Sequence, residues 1–266
     1  MIALPKTRRT LLRAALAVGL AAPRAARAAD VPPIAAAADL TYALGDIASL
    51  FTQETREQVK LVFGSSGNFA TEIAHGAPFE MFLSADETYV AALARQGLTR
   101  DGGVLYAEGR IGLLATPAAS FTADPALAGL AAALRAGRVG KFAIANPAHA
   151  PYGVAAREAL QHAALWEAIT PHLVFGQNVA QAAQFIRAGA AEGGIIPLSL
   201  ARAPAFAAIG TFALIEAGWH RPLRQRMVLL TRAGPVAARF YAFVQGEAAR
   251  AIFRRYGFLL PGDAPR

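Results

Sequence analysis

The chain has 266 residues, 55% of them hydrophobic and 17% charged, and no cysteine. That is enough apolar chain for a buried core in one large domain or two smaller ones and excludes a disordered polypeptide, while the missing cysteine excludes thiol nucleophiles, disulfides and thiolate metal sites. The formal charge of +8 is local: of 26 Lys and Arg residues six fall in 1–28, which holds no acid, leaving 20 basic against 18 acidic residues and no surplus of the kind nucleic acid attracts.

The first 28 residues read as an export leader. Thr7-Arg8-Arg9-Thr10-Leu11-Leu12-Arg13 precedes an apolar run from Ala14 to Ala22, then Pro23, and Ala26-Arg27-Ala28 stands before Ala29-Asp30. A positive n-region, a short h-region and an A-x-A site make a removable signal peptide. Nine apolar residues rising about 1.5 Å each cannot span about 30 Å of hydrocarbon, so the run is no anchor. The paired arginines resemble a twin-arginine signal, with an ordinary Sec signal or a mitochondrial-type presequence as the alternatives.

Beyond the leader, strand, turn and helix signals alternate. Ile34 to Ala38 is a short apolar run ended by Asp39, after which Leu40, Ala43, Leu44, Ile47, Leu50 and Phe51 recur at helical spacing. Val59 to Phe63 predicts a strand, Gly64-Ser65-Ser66-Gly67-Asn68 a turn, and Phe69 to His75 a helix closed by Gly76. Met81 to Leu83 predicts a strand; Asp86 caps a helix carrying Val90 and Leu93, with Gly97 at its left-handed end. Ile111 to Ala115 is strand-like, and Leu127 to Ala136 is a helix closed by Gly137. Phe142 to Ala145, Leu173 to Phe175 and Gly194 to Pro197 predict strands, with helices from Gly153 and over Val179 to Ala188 between them. Two helices fill Pro235 to Tyr256. This order predicts an α/β protein with mostly parallel sheets covered on both faces.

In open α/β sheets a ligand crevice lies beyond the carboxyl ends of the strands, where helices begin. Four such junctions stand out: Ala38-Asp39-Leu40, Gly64 to Gly67, Pro151-Tyr152-Gly153 and Gln177-Asn178-Val179. Each helix start leaves unpaired N–H donors and about half a positive charge, so convergence of the four would hold a small anion without lysine or arginine. Ser65 and Ser66 add two hydroxyls, and the flanking glycines allow close backbone approach.

Enzyme signatures are weak. No glycines bracket Ser65 or Ser66 as a G-x-S-x-G elbow requires, and neither a P-loop nor an H-E-x-x-H motif occurs. His75, His149, His162, His172 and His220 have no metal-ligand spacing, so no metal site and no cofactor are expected. A hydrolase using Ser66 with His75 or His149 stays open as a distant alternative.

Ala36-Ala-Ala-Asp-Leu-Thr41, Phe63 to Gly67, Gly76 to Asp86, Ala145 to His149 with Pro151-Tyr-Gly153, and Ile252 to Phe258 together resemble the periplasmic molybdate-binding proteins of ABC importers, in order and over nearly all of 34–258. The resemblance implies a two-lobe, type II periplasmic binding protein, with lobe 1 over 29–109 and 222–266, lobe 2 over 110–221, and the ligand cleft between them. It also implies a monomer that is not an enzyme, is exported to the periplasm with cleavage near Ala28, and hands molybdate or tungstate to an ABC-type membrane permease. The family's ligand groups fall by position on Asp39, Ser66, Tyr152, Val179 and Pro197, with Ser65 beside them.

Two positions depart from that pattern: Asp39 replaces a serine and Pro197 a tyrosine, and Pro197 offers neither a hydroxyl nor an N–H. An ionised Asp39 about 4 Å from one unit of ligand charge costs about 4 kcal/mol at an effective dielectric near 20, more than the about 1.5–3 kcal/mol that a charge-assisted hydrogen bond returns. Three resolutions stay open: a protonated Asp39, a ligand such as hydrogen phosphate or arsenate that carries its own proton, or an Asp39 turned away as a helix cap. Tyr152 could supply the missing hydroxyl.

Overall fold

The computed structural model describes residues 1–2 and 31–263. The arginines, apolar run and cleavage motif of the expected leader lie outside the described residues. From the amino end the chain runs through β1 (Pro33–Ala37), a 3-10 turn (Ala38–Leu40), α1 (Thr41–Thr55), β2 (Lys60–Gly64), α2 (Ser66–Ala74), β3 (Met81–Ser84), α3 (Glu87–Arg95) and β4 (Val104–Gly109). It continues through β5 (Ile111–Ala115), α4 (Ala128–Arg135), β6 (Phe142–Ala145), α5 (Pro151–His162), α6 (Trp166–Ile169), β7 (Leu173–Gly176), α7 (Val179–Arg187), β8 (Gly193–Pro197), α8 (Leu198–Ala201) and β9 (Thr211–Leu214). After β10 (Leu223–Leu229) come α9 (Pro235–Val244) and α10 (Glu247–Arg255).

The strands form two five-stranded sheets, in the orders β2-β1-β3-β10-β4 and β7-β6-β8-β5-β9, so the chain leaves the first sheet at Arg110 and re-enters it on β10. Two sheets flanked by helices make a two-lobe α/β fold. Each sheet is mixed. The expected parallel pairs are present, β1 with β2 and β3, and β6 with β7 and β8. β10 runs antiparallel to β3 and β4, and β5 antiparallel to β8 and β9. β4, β9 and β10 carry no strand expectation from the sequence. β9 is a four-residue edge strand, and β10 (LRQRMVL) places arginines between its inward residues, so neither reads as a continuous apolar run.

Local signals explain the helix boundaries. Asp86 accepts the Thr88 amide at 2.8 Å to open α3, and Gly97 closes the following turn at φ +70°. The helix α1 buries Ala43, Leu44, Ile47 and Phe51, the i, i+1, i+4, i+8 stripe of one face. Phe51 packs edge-on against Phe240 and Phe243 of α9 at 5.2 and 5.3 Å, each pair adding about 0.5–1.5 kcal/mol beyond simple burial. Because α1, α2, α5 and α7 each follow the carboxyl end of a parallel strand, their first turns all lie at sheet edges of the same kind. Among the described residues no helix is long and apolar enough to cross a membrane.

Candidate anion site at four helix starts

The four predicted junctions meet. One small cavity is lined by Ala38 and Asp39 of the 3-10 turn, Ser65 and Ser66 at the start of α2, Pro151 and Tyr152 at the start of α5, and Asn178 and Val179 at the start of α7. Of the residues singled out from sequence, Asp39, Ser65, Ser66, Tyr152 and Val179 share this cavity, and Pro197 is not among its walls. Pro197 instead ends β8 fully buried and stands as the N-cap of α8. At three of the four starts the N-cap residue, Ala37, Ser65 or Ala150, makes no side-chain cap bond, which leaves first-turn amides for a guest. At the fourth, Asn178 accepts the Gln181 amide at 3.0 Å.

No lysine or arginine lines the cavity, so its positive potential comes from helix ends. Its free volume is about 10 Å³, room for about one water molecule, so a four-oxygen anion requires the walls to separate. A wider pocket of about 360 Å³ shares Ala85 and Pro151 with it, but carries Asp86, Glu87 and Glu158. The arginines lining it are spoken for: Arg224 pairs with Glu87 at 2.6 Å and Arg221 with Glu158 at 2.7 Å. Of the two, the smaller cavity is the one on which the four helix starts converge.

Asp39 does not cap a helix. Its Oδ2 accepts the Tyr152 hydroxyl at 2.9 Å and Gln225 Nε2 at 2.7 Å, while Oδ1, buried, has no partner. Gln225 Nε2 also reaches the Tyr152 oxygen at 3.0 Å, and Gln225 Oε1 accepts the Tyr106 hydroxyl at 2.6 Å. Burial pushes the Asp39 carboxyl up to about 6 against the downward pull of hydrogen bonds from Gln225, Tyr152 and its own backbone amide. Burial, with the Asp39 charge nearby, likewise holds the Tyr106 and Tyr152 hydroxyls well above the ordinary tyrosine range, so both stay protonated donors.

Ser66 Oγ accepts the Ala85 amide at 3.0 Å, and Ser65 Oγ donates to the His149 carbonyl, whose ring Nδ1 lies 3.0 Å from the same hydroxyl. The His149 carbonyl also accepts the Gly67 amide at 3.1 Å, so the loop after β6 is fastened to the start of α2. The imidazole thus meets Ser65 and not Ser66, and His75 Nδ1 bonds the Thr71 carbonyl of its own helix. The Ser66 hydrolase constellation is not assembled. No group of His, Asp or Glu among the described residues could hold a metal ion.

Two contributors escaped sequence reading. Gln225, fully buried in β10, positions Asp39, and Ser199 Oγ donates to the Asp39 carbonyl at 2.8 Å. The signal for Gln225 was its place on the inward phase of β10 with Leu223 and Met227, between outward Arg224 and Arg226. Gly109 makes room for the network: a Cβ there would sit 2.0 Å from the Tyr152 hydroxyl.

Comparison with known proteins follows the same lines. Residues 33–259 match the family described as bacterial extracellular solute-binding protein. The chain is 36% identical over 247 residues to the molybdate-binding protein ModA of Azotobacter vinelandii, covering 92% of this chain and 95% of that one. To the ModA of Rhodobacter capsulatus it is 35% identical over 248 residues, covering 92% and 93%. The solved periplasmic molybdate-binding protein of Azotobacter vinelandii superposes with a TM-score of 0.78 at 28% identity, over 86% of this chain and 99% of that chain.

Proposed function

The chain belongs to the bacterial extracellular solute-binding protein family, and from that membership we propose that it captures a small tetrahedral oxyanion, molybdate or tungstate first, and delivers it to an ABC-type membrane permease. It is a binding protein and not an enzyme. The observation that carries this reading is the meeting of four helix starts on one cavity without a lysine or arginine in its walls. Such a site neutralises an anion with amide dipoles and the Ser66 hydroxyl, since the Ser65 and Tyr152 hydroxyls already donate to the His149 carbonyl and to Asp39, and it releases the anion when the donors part.

In this reading lobe 1 comprises 29–109 and 222–266 and lobe 2 comprises 110–221. Asp39, Ser65 and Ser66 contribute from the first and Tyr152 and Val179 from the second, so a guest bridges the two and favours their closure by hinge motion. Pro197 stands outside this set and supplies no donor. The leader is removed near Ala28, and the mature monomer acts in the periplasm.

Calorimetry of the mature protein against molybdate, tungstate, sulfate, phosphate and arsenate tests the reading. It expects saturable one-to-one binding, tightest for molybdate and tungstate. Absence of heat with all five contradicts it. A second reading, a hydrogen oxyanion such as hydrogen phosphate, is favoured by one observation, the buried and unpartnered Oδ1 of Asp39, a residue that lines the cavity. A preference for phosphate or arsenate in the same titrations selects it.

A further inference from the structure

A buried carboxyl in the wall of an anion site needs an account that the helix dipoles do not supply. Oδ2 of Asp39 already accepts two donors, Tyr152 and Gln225, so Oδ1 is the oxygen left to a guest. Asp39 is 1% exposed, so bulk solvent does little to screen Oδ1. Two bare oxygens, one from the carboxylate and one from a dianion, repel at contact, whereas one proton between them turns the contact into a short hydrogen bond.

We propose that Asp39 makes anion capture proton-linked: the complex holds one proton between Asp39 Oδ1 and the oxyanion, so that binding a fully deprotonated anion takes one proton from solvent. This rests on the oxyanion reading above. The proton balance is simple: carboxylate plus dianion plus one proton gives a neutral carboxyl that donates from Oδ1 to a ligand oxygen, and release returns the proton. A ligand that arrives as a hydrogen anion brings the proton itself and takes none up.

The surroundings support this assignment. Besides Asp39 and Tyr152, no residue of the cavity walls carries a titratable side chain. From the packed elements, Tyr152 of α5 faces Asp39 directly and Tyr106 of β4 faces it through Gln225 of β10, and burial keeps both phenols protonated. Ser199 of α8 meets only the Asp39 backbone. His149, on the loop after β6, touches Ser65 and is the other titratable side chain of the neighbourhood. Burial has already raised the Asp39 carboxyl to about 6, and a bound anion raises it further.

The test is molybdate calorimetry at pH 7.0 to 8.5 in buffers of different ionisation enthalpy, on wild type, Asp39→Asn and His149→Gln. Expected are uptake of close to one proton per molybdate and an affinity falling about tenfold per pH unit in wild type and His149→Gln, and neither effect in Asp39→Asn. With phosphate, uptake falls toward zero. Measurable molybdate binding by wild type without proton uptake overturns the inference, a result independent of how well any variant folds. Uptake that survives in Asp39→Asn and disappears in His149→Gln overturns it too. If no anion binds at any pH, the oxyanion reading fails and this inference with it.

Discussion

The Tyr152 hydroxyl on α5 donates to Oδ2 of Asp39, 113 residues earlier in the chain, at 2.9 Å. The bond ties a helix of the second sheet to the carboxyl end of the first strand, and Gln225 of β10 braces both partners. Tyr152→Phe removes one donor from a buried carboxylate. A hydrogen bond to a charged group contributes about 1.5–3 kcal/mol, so the variant is expected to lose about 2 kcal/mol at pH 8 in urea melts and less at pH 4, where Asp39 is neutral. Equal losses at the two pH values would show that the carboxylate charge is not what the hydroxyl serves.

Asp39 also sets how stability responds to pH. Its folded pKa of about 6 stands above its ordinary 3.8, so as pH rises the unfolded chain gives up this proton first. Between about pH 4 and 6 the native state therefore binds more protons than the unfolded state, and stability falls with rising pH. Two pH units correspond to about 3 kcal/mol. Asp39→Asn lacks that fall, so thermal melts are expected to show it gaining on wild type by up to about 3 kcal/mol at pH 8 and nothing at pH 3.

Gly67 has to be a glycine for the two halves of the site to meet. A Cβ there would lie 2.5 Å from the His149 carbonyl oxygen and 2.9 Å from the Tyr89 hydroxyl. Gly67→Ala is expected to push the loop after β6 away from α2 and to weaken oxyanion binding about tenfold or more, the scale of a forced shift costing about 1–3 kcal/mol. Unchanged affinity would mean that the contact between His149 and α2 plays no part in closure.

Ser66→Ala leaves the buried Ala85 amide without its acceptor, which costs about 1–3 kcal/mol and should register as a lower melting temperature. Oxyanion affinity should fall with it. Chromogenic esters and phosphoesters should show no turnover before or after the change, since the imidazole of His149 meets Ser65 instead. Turnover that disappears in the variant would restore the hydrolase reading.

Much of the site was legible because a helix start is written locally. Asp39, the Ser65-Ser66 turn, Pro151-Tyr152 and Asn178-Val179 each follow an apolar strand signal, and the parallel order of β1 with β2, and of β6 with β7, puts their carboxyl ends together. What escaped depends on long-range pairing. β10 returns to the first sheet after an excursion through the whole second one, and its antiparallel place between β3 and β4 is what sets Gln225 beside Asp39. Nothing in the run LRQRMVL names that partner. Pro197 is not among the cavity walls: it ends a fully buried strand, and the hydroxyl of the segment that follows, Ser199, donates to the Asp39 carbonyl.

Crystals grown with molybdate would locate the anion directly by the anomalous signal of molybdenum. The peak is expected where the anion's oxygens reach hydrogen-bonding distance of backbone amides at the starts of α2, α5 and α7, with one oxygen beside Oδ1 of Asp39. A peak in another pocket, such as the one lined by Arg110, Arg202 and Arg254, would contradict capture by converging helix ends.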